Sequence, residues 1–402
     1  MRMKMKQFRK GKGWFLVLIL SSFLCGCGDN AETGVPVDGP LWSMGMEETS
    51  DGIILSEDKE SYWEEAGSDL QEEDARPETP VLQEDGGDVT ILVSAAGDVT
   101  LGNHQEQEYA SSFRQMYDKE GEAYFLKNVN HFLGKDDMTI VNFEGVLTLS
   151  EEMQPKDYNM KGDPSYIGIL TQGSVEAVSF GNNHRLDYLI QGSNDTVDAF
   201  EEAGIAYAYD NITGFYETKG IRIGFVSVNE ASQGAAVEKY LEEGIKKLRM
   251  EEDADLVIAC CHWGTEKDNY PEEYQQTLGR KCIDWGADLV LGSHPHVLQG
   301  IEVYEGKFIV YSLANFCFGG NRNPADKDTM IFQQTFTFRE GIKQEDMVAR
   351  VIPCSVSSVE SKNDFCPTPA EGEDFERILG RINAYSAEYG VSFDEKGYYK
   401  VK

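Results

Sequence analysis

Five apolar, strand-like runs in this chain end in side chains of metal-ligand type. Ile91–Ala96 runs into Gly97-Asp98, and Met138–Phe143 carries Asn142 and stops at Glu144. Ala177–Phe180 is followed by Gly181-Asn182-Asn183-His184, Leu256–Cys261 by His262-Trp263-Gly264, and Leu289–Leu291 by Gly292-Ser293-His294-Pro295-His296. Open α/β sheets build active sites from side chains at the carboxyl ends of neighbouring strands. Asp, Glu, Asn and His together suit a hard or borderline divalent cation, one ion or two, and these donor types do not separate Mn, Fe, Zn and Mg.

The motifs differ in what they demand. Gly97 permits a sharp backbone turn that leaves Asp98 projecting at a strand edge. Alternation sets Asn142 and Glu144 on one side while Phe143 faces a core, so a carboxylate there can bridge cations. Two amides and an imidazole after an apolar strand are costly without partners. His184 is accordingly a ligand or a proton donor to a leaving group, and the bland alternative is a satisfied turn. A lone His at the position of His262 is commonly structural. In His294-Pro295-His296, proline biases the residue before it to extended backbone, where positions i and i+2 face alike. The expectation is a preformed two-imidazole clip. The chain has six histidines; four fall in these motifs, His104 lies just past Asp98, and His131 reads as a surface or helix residue.

Strand signals that must carry these groups recur at Ile91–Ala96, Met138–Phe143, Val175–Phe180, Ile221–Val228, Asp255–Cys261, Asp288–Leu291 and Phe308–Ser312. Met330–Phe338 and Met347–Ile352 alternate around Glu340-Gly341, as an antiparallel hairpin with one solvated face does. Between them, Pro271–Trp285 repeats Tyr274, Leu278 and Cys282 at helical spacing before Gly286. Ser193–Ala203, Val237–Met250 and Glu373–Tyr389 read as helices too. Strands alternating with helices predict an α/β fold.

Residues 1–27 read as a secretion signal: a basic start, then Trp14–Leu24, eleven residues where a span needs roughly twenty. Leu24-Cys25-Gly26-Cys27 resembles the bacterial lipoprotein cleavage box, which would place a lipid on Cys27 and the chain at the outer face of a cell membrane. Residues 28–88 hold nineteen Asp and Glu against Lys59 and Arg76, and about half of the net charge of −34. Such a stretch is expected to remain an extended linker. Nothing resembles a basic phosphate-neutralising stripe, which excludes a nucleic-acid partner. An anionic substrate would be repelled unless metal ions or local Lys and Arg offset the field. Outside the cell a disulfide is permitted, and Cys354 with Cys366 is the pair in loop-like surroundings. Cys260, Cys261, Cys282 and Cys317 read as small buried hydrophobes. The domain order is therefore 1–27 signal, 28–88 linker, 89–353 folded domain and 354–402 C-terminal extension.

The series Gly97-Asp98-Val99-Thr100-Leu101-Gly102, Asn142-Phe143-Glu144, Asn182-Asn183-His184, His262-Trp263-Gly264-x-Glu266 and His294-Pro295-His296-Val297-Leu298-Gln299 resembles the CapA family of poly-gamma-glutamate capsule synthesis proteins. Tyr311-Ser312-Leu313-Ala314-Asn315-Phe316 resembles a further segment of that family, with Ala314 where Gly is usual. The resemblance implies a two-sheet αββα sandwich of the metallophosphatase type. It further implies Asp98 as a first-metal ligand, Glu144 as the bridging carboxylate, Asn183 and His262 as second-metal ligands, and His294 and His296 completing the shells. His184 would then be the leaving-group acid, while Asn142, Asn182, Glu266 and Asn315 would contact substrate or support the ligands. Thr100 stands where the phosphatases carry a His. Three functions follow: a surface hydrolase or transferase with a divalent metal, working with capsule synthesis machinery on an anionic polymer or its precursor; a non-catalytic polymer-binding lipoprotein; or a solute-binding lipoprotein.

Overall fold

The structure, a computed structural model, describes residues 88–401. The signal, Cys27 and all but the last residue of the linker lie outside the described residues. We number the principal elements in chain order. The strands are β1 (Val89–Thr100), β2 (Met138–Phe143), β3 (Ala177–Ser179), β4 (Ala206–Ala208), β5 (Gly214–Thr218), β6 (Ile221–Asn229) and β7 (Leu256–His262). They continue as β8 (Leu289–Ser293), β9 (Ile301–Tyr304), β10 (Lys307–Val310), β11 (Asn315–Phe318), β12 (Asp328–Arg339), β13 (Val348–Ser355) and β14 (Thr368–Pro369). The helices are α1 (Phe113–Glu120), α2 (Leu189–Ala203), α3 (Val237–Met250), α4 (Glu273–Trp285) and α5 (Gly372–Ser386).

Two sheets carry the fold. A nine-stranded sheet runs β14-β13-β12-β1-β2-β3-β4, with β11 also paired to β1 and the short strand Ile342–Lys343 paired to β12, and a six-stranded sheet runs β9-β10-β8-β7-β6-β5. Strands β1 to β4 pair in parallel, as do β6, β7, β8 and β10. The period of two sorts side chains into layers. Ile91, Val93 and Ala95 of β1 join Met138 and Ile140 of β2, and Leu256, Ile258 and Cys260 of β7, in one core between the sheets. The opposite face of the first sheet, Val141 and Phe143 included, packs under α1 and α2. Val257, Ala259 and Cys261 of β7 meet Leu241, Ile245, Leu278 and Cys282 of α3 and α4. Helix, sheet, sheet, helix is the expected αββα sandwich.

Several expectations need correcting. The hairpin is antiparallel, Met330 opposite Pro353. However, β12 has no solvated face along most of its length, because it lies between β1 and β13 with a packed layer on each side. The expected division at residue 353 falls inside β13, and α5 sends Ile378, Leu379 and Ile382 into the inter-sheet core. Cys354 and Cys366 are buried free thiols, as are the other four cysteines of the described residues, so the permitted disulfide is absent. Helix α2 begins at Leu189, four residues before the expected start.

At the end of the sheets away from the ligand motifs, burial holds the Asp136 carboxyl up at about 7, against hydrogen bonds from Ser94 and Thr139. The fold thus keeps a proton that the unfolded chain releases near pH 4, so this group's contribution to stability falls as pH rises from about 4 to 7. Asp136→Asn should gain about 1–2 kcal/mol over wild type at pH 8 and nothing at pH 4, read from urea midpoints.

Candidate metal centre

The parity that sorts the core also aims the polar residues. On β2, Asn142 and then Glu144 continue the side of Met138 and Ile140. On β7, His262 continues the side of Leu256, Ile258 and Cys260, and on β8 Ser293 continues that of Leu289 and Leu291. All therefore emerge at one rim of the inter-sheet core, at the carboxyl ends of parallel strands from both sheets. Asp98 arrives differently. Strand β1 runs on to Thr100, and its register shifts on either side of Asp98 where it pairs with β2 and β11. Gly97 does not make the sharp turn expected of it. It admits another chain: a Cβ there would lie 1.7 Å from the Ala314 carbonyl oxygen, and that oxygen accepts from the Asp98 N–H at 2.9 Å.

The segment Tyr311–Phe316 stitches the sheets together just beneath the site. The Leu313 N–H donates to the Gly292 carbonyl at 3.2 Å, and the Trp263 indole donates to the Tyr311 carbonyl at 2.9 Å. Gly292 is needed for the same reason as Gly97, since its Cβ would meet the Tyr311 oxygen at 1.9 Å. Neither obstacle can move without moving a strand. Gly97→Ala should therefore destabilise by about 3 kcal/mol or more and abolish metal retention, tested by thermal melting and metal analysis.

Asp98, Glu144 and His262 each offer a ligand atom, all within 4.8 Å of one another, and all three residues are buried. Asn142 ties them: its Nδ2 donates to Asp98 Oδ1 at 2.8 Å and lies 3.4 Å from both Glu144 Oε2 and His262 Nδ1. His262 Nε2 stands 3.0 Å from Asn183 Oδ1, and its Nδ1 3.0 Å from Ser293 Oγ. His296 Nδ1 lies 3.0 Å from both Asp98 Oδ2 and Asn315 Oδ1, with Nε2 3.7 Å from Glu144 Oε1. The His294 ring centroid is 4.7 Å from that of His262. Seven motif residues thus share one space: Asp98, Asn142, Glu144, Asn183, His262, His294 and His296.

The other expected residues stand around it. Asn182 lies lower, its Nδ2 donating to the Phe143 carbonyl at 2.6 Å, and so holds the turn that presents Asn183. Asn315 clasps His296 twice, its Oδ1 against the ring Nδ1 and its Nδ2 donating to the His296 backbone carbonyl at 3.3 Å. Glu266 is exposed at the cleft rim. His184 Nε2 approaches Glu144 Oε1 at 3.7 Å, and its Nδ1 lies 2.7 Å from Asp187 Oδ2. The Thr100 hydroxyl donates to the backbone carbonyl of Glu144 at 2.7 Å, a support for the carboxylate's strand and not a ligand contact. His104 packs edge-on against Tyr158, away from the cluster. The His-Pro-His segment is not extended. His294 and His296 have φ of 97° and 58°, because the loop folds back to give the Pro295 carbonyl to Lys267.

Sequence reasoning missed Asp187 and Lys156. Asp187 is buried, accepts from the Met160 N–H at 2.5 Å, and pairs with Lys156 Nζ at 2.5 Å, while Lys156 also donates to the Asn183 carbonyl at 3.1 Å. The signal for Asp187 was its place three residues after His184. Lys156 lies in a loop with no local signature.

The electrostatics favour a cation. Glu144 Oε1 and His294 Nδ1 are buried with no hydrogen-bond partner. Burial, and then Asp98, push the Glu144 carboxyl well above its usual range. Burial and neighbouring imidazoles depress His262 strongly and bring His294 to about 4. Both rings are therefore neutral and able to ligate at pH 7. His296 goes the other way: burial lowers it, but Glu144 and Asp98 outweigh that and raise it to about 10. The two carboxylates draw positive charge into the centre, and the orphaned atoms and neutral imidazoles fit a divalent cation.

A family model described as bacterial capsule synthesis protein PGA_cap matches residues 92–320. The chain is similar to the capsule biosynthesis protein CapA of Bacillus anthracis, 27% identical over 57% of this chain and 60% of that one. It is also similar to the PGA biosynthesis protein CapA of Bacillus subtilis (strain 168), 27% identical over 60% and 67%. Among solved structures, a 5'-nucleotidase from Candida albicans SC5314 aligns over 75% of this chain and 59% of that one, with 13% identity and a TM-score of 0.37. The chain thus matches 60% of the length of the first of these relatives.

Proposed function

Because the chain belongs to the PGA_cap family of bacterial capsule synthesis proteins, we propose that it is a metal-dependent hydrolase or transferase of an anionic capsular polymer, or of that polymer's precursor. Poly-gamma-glutamate is the polymer implied by the resemblance, and the Bacillus subtilis relative is a PGA biosynthesis protein. The site of action is extracytoplasmic, with Cys27 carrying a lipid anchor and residues 28–88 holding the domain off the membrane. Capsule synthesis machinery is the expected partner.

One observation carries this reading. The buried donor cluster opens, through Glu144, His184 and His296, onto a cleft of about 1070 Å³. Asp98, Glu144, Asn183, His262, His294 and His296 would hold one or two ions of Mn, Fe, Zn or Mg. A divalent ion there supplies Lewis acidity, making water nucleophilic at neutral pH and stabilising charge on a phosphoryl or carbonyl oxygen. The chain's own residues do the rest. Asn142 and Asn315 orient ligands, a task whose loss typically costs 10–100-fold in affinity or activity. With Asp187 holding Nδ1 of His184, Nε2 is the atom left to give a proton to a leaving group.

The test is metal analysis of the purified full chain, followed by a screen of phosphoester and gamma-glutamyl substrates with and without chelator. Bound metal and chelator-sensitive turnover support the reading. No metal with His294 and His296 intact overturns it, and metal without turnover of any substrate leaves the non-catalytic polymer-binding alternative.

A further inference from the structure

The cleft does not end at the ligand cluster. The same cavity runs on to Lys267, Lys327, and Arg377 and Arg381 of α5, so much of its far wall lies beyond residue 320, where the family match stops. That wall is fastened by ion pairs. Arg377 grips both oxygens of Asp328, at 2.5 and 2.9 Å. Arg381 grips both oxygens of Asp326, at 3.0 and 2.6 Å, and reaches Asp328 as well. These guanidinium donors are occupied by aspartates, which makes the arginines supports and not ligand contacts.

Lys327 stands between the two clamped aspartates. Its ammonium donates to the backbone carbonyls of Glu360 and Lys362 and has no carboxylate partner among the described residues. An ammonium has three N–H donors, so one remains free. Lys267 lies exposed in the loop after Trp263. Its N–H is fixed to the Pro295 carbonyl at 2.8 Å, and its ammonium likewise forms no ion pair among the described residues. Both lysines line the cavity that reaches Glu144.

We infer that Lys267 and Lys327 form an anion subsite, taking a carboxylate of a polycarboxylate chain whose neighbouring unit lies at the metal centre. This rests on the polymer reading above and adds to it a requirement for more than one unit. A cleft of about 1070 Å³ is at the top of the range for small-molecule pockets. In a chain of net charge −34, local ammonium groups are what offset repulsion of a polyanion. Glu266 and Glu360 line the same cavity, so recognition depends on contacts at the two lysines and not on a broad positive field.

The test is calorimetric binding of a short γ-linked glutamate oligomer to the metal-loaded full chain and to its Lys267→Gln/Lys327→Gln variant. Inorganic phosphate serves as a probe of the metal centre alone, and a glycerol-phosphate oligomer as the competing polyanion. Both substitutions are at sites outside the packed core. The expected result is a loss of about tenfold in oligomer affinity per lysine and a shallower salt dependence, with metal content and phosphate affinity unchanged. Equal oligomer affinity for variant and wild type overturns the inference, as does no binding to wild type or tighter binding of the glycerol-phosphate oligomer. Absence of turnover on every substrate defeats the proposed activity but leaves this binding result standing.

Discussion

Glu144→Gln should strip the protein of its divalent cation while making the metal-free fold more stable. The two effects have one cause. Glu144 is 1% exposed, its Oε1 has no partner, and burial with Asp98 beside it pushes its carboxyl well above the usual range. A raised acid favours the fold only while protonated, so the metal-free protein loses stability as pH climbs above the unfolded value near 4.3. Glutamine keeps the shape and removes that charge. In chelator at pH 7.5 the variant should therefore melt at or above wild type. Added Mn or Zn should raise the wild-type melting temperature by mass action and leave the variant nearly unmoved. The expected fall in metal affinity is at least about a hundredfold, beyond the 10–100-fold typical of residues that only support ligands. Melting curves with and without metal, and metal content after dialysis, decide the matter. A variant that retains metal would show that Glu144 is a structural carboxyl and not a ligand.

The features legible in the sequence were those governed by period two. Alternation along Met138–Glu144 put Asn142 and Glu144 on one side, and they stand 3.4 Å apart. Helix α4 buries Leu278 and Cys282 as their spacing predicts, and α3 lies where a helix is expected. What failed was governed by long-range contacts that no local pattern encodes. Gly97 reads as a turn residue, but its absent Cβ makes room for a carbonyl 217 positions away, that of Ala314. His294-Pro295-His296 reads as extended, yet closure of its loop onto Lys267 forces both histidines to positive φ. Residues 354–402 read as an extension because no local pattern places α5, with its charged face, against the core. Its other face enters the inter-sheet core, and the charged face fastens the cleft wall. Asp187 escaped notice because a carboxylate three residues after a histidine is common in turns.

His184→Gln should separate chemistry from metal binding. His184 stands beside the cluster and not within it: its nearest approach to Glu144 is 3.7 Å, and its Nδ1 is engaged by Asp187 at 2.7 Å. A proton donor in that place is worth about 10²–10⁴ in turnover, so on the substrate found by the screen the variant should lose that much kcat. Glutamine removes the imidazole while leaving the backbone turn that Asn182 holds through the His184 N–H at 3.1 Å. Metal content should stay at the wild-type level. Asp187→Asn should produce a smaller loss, about 10–100-fold, because the ring remains but its Nδ1 partner is weakened. The order of these two losses is informative, since a residue acting only through packing would not rank below the one it touches. If His184→Gln instead released the metal, His184 would belong to the ligand set, and the proton would have to come from another group at the cleft.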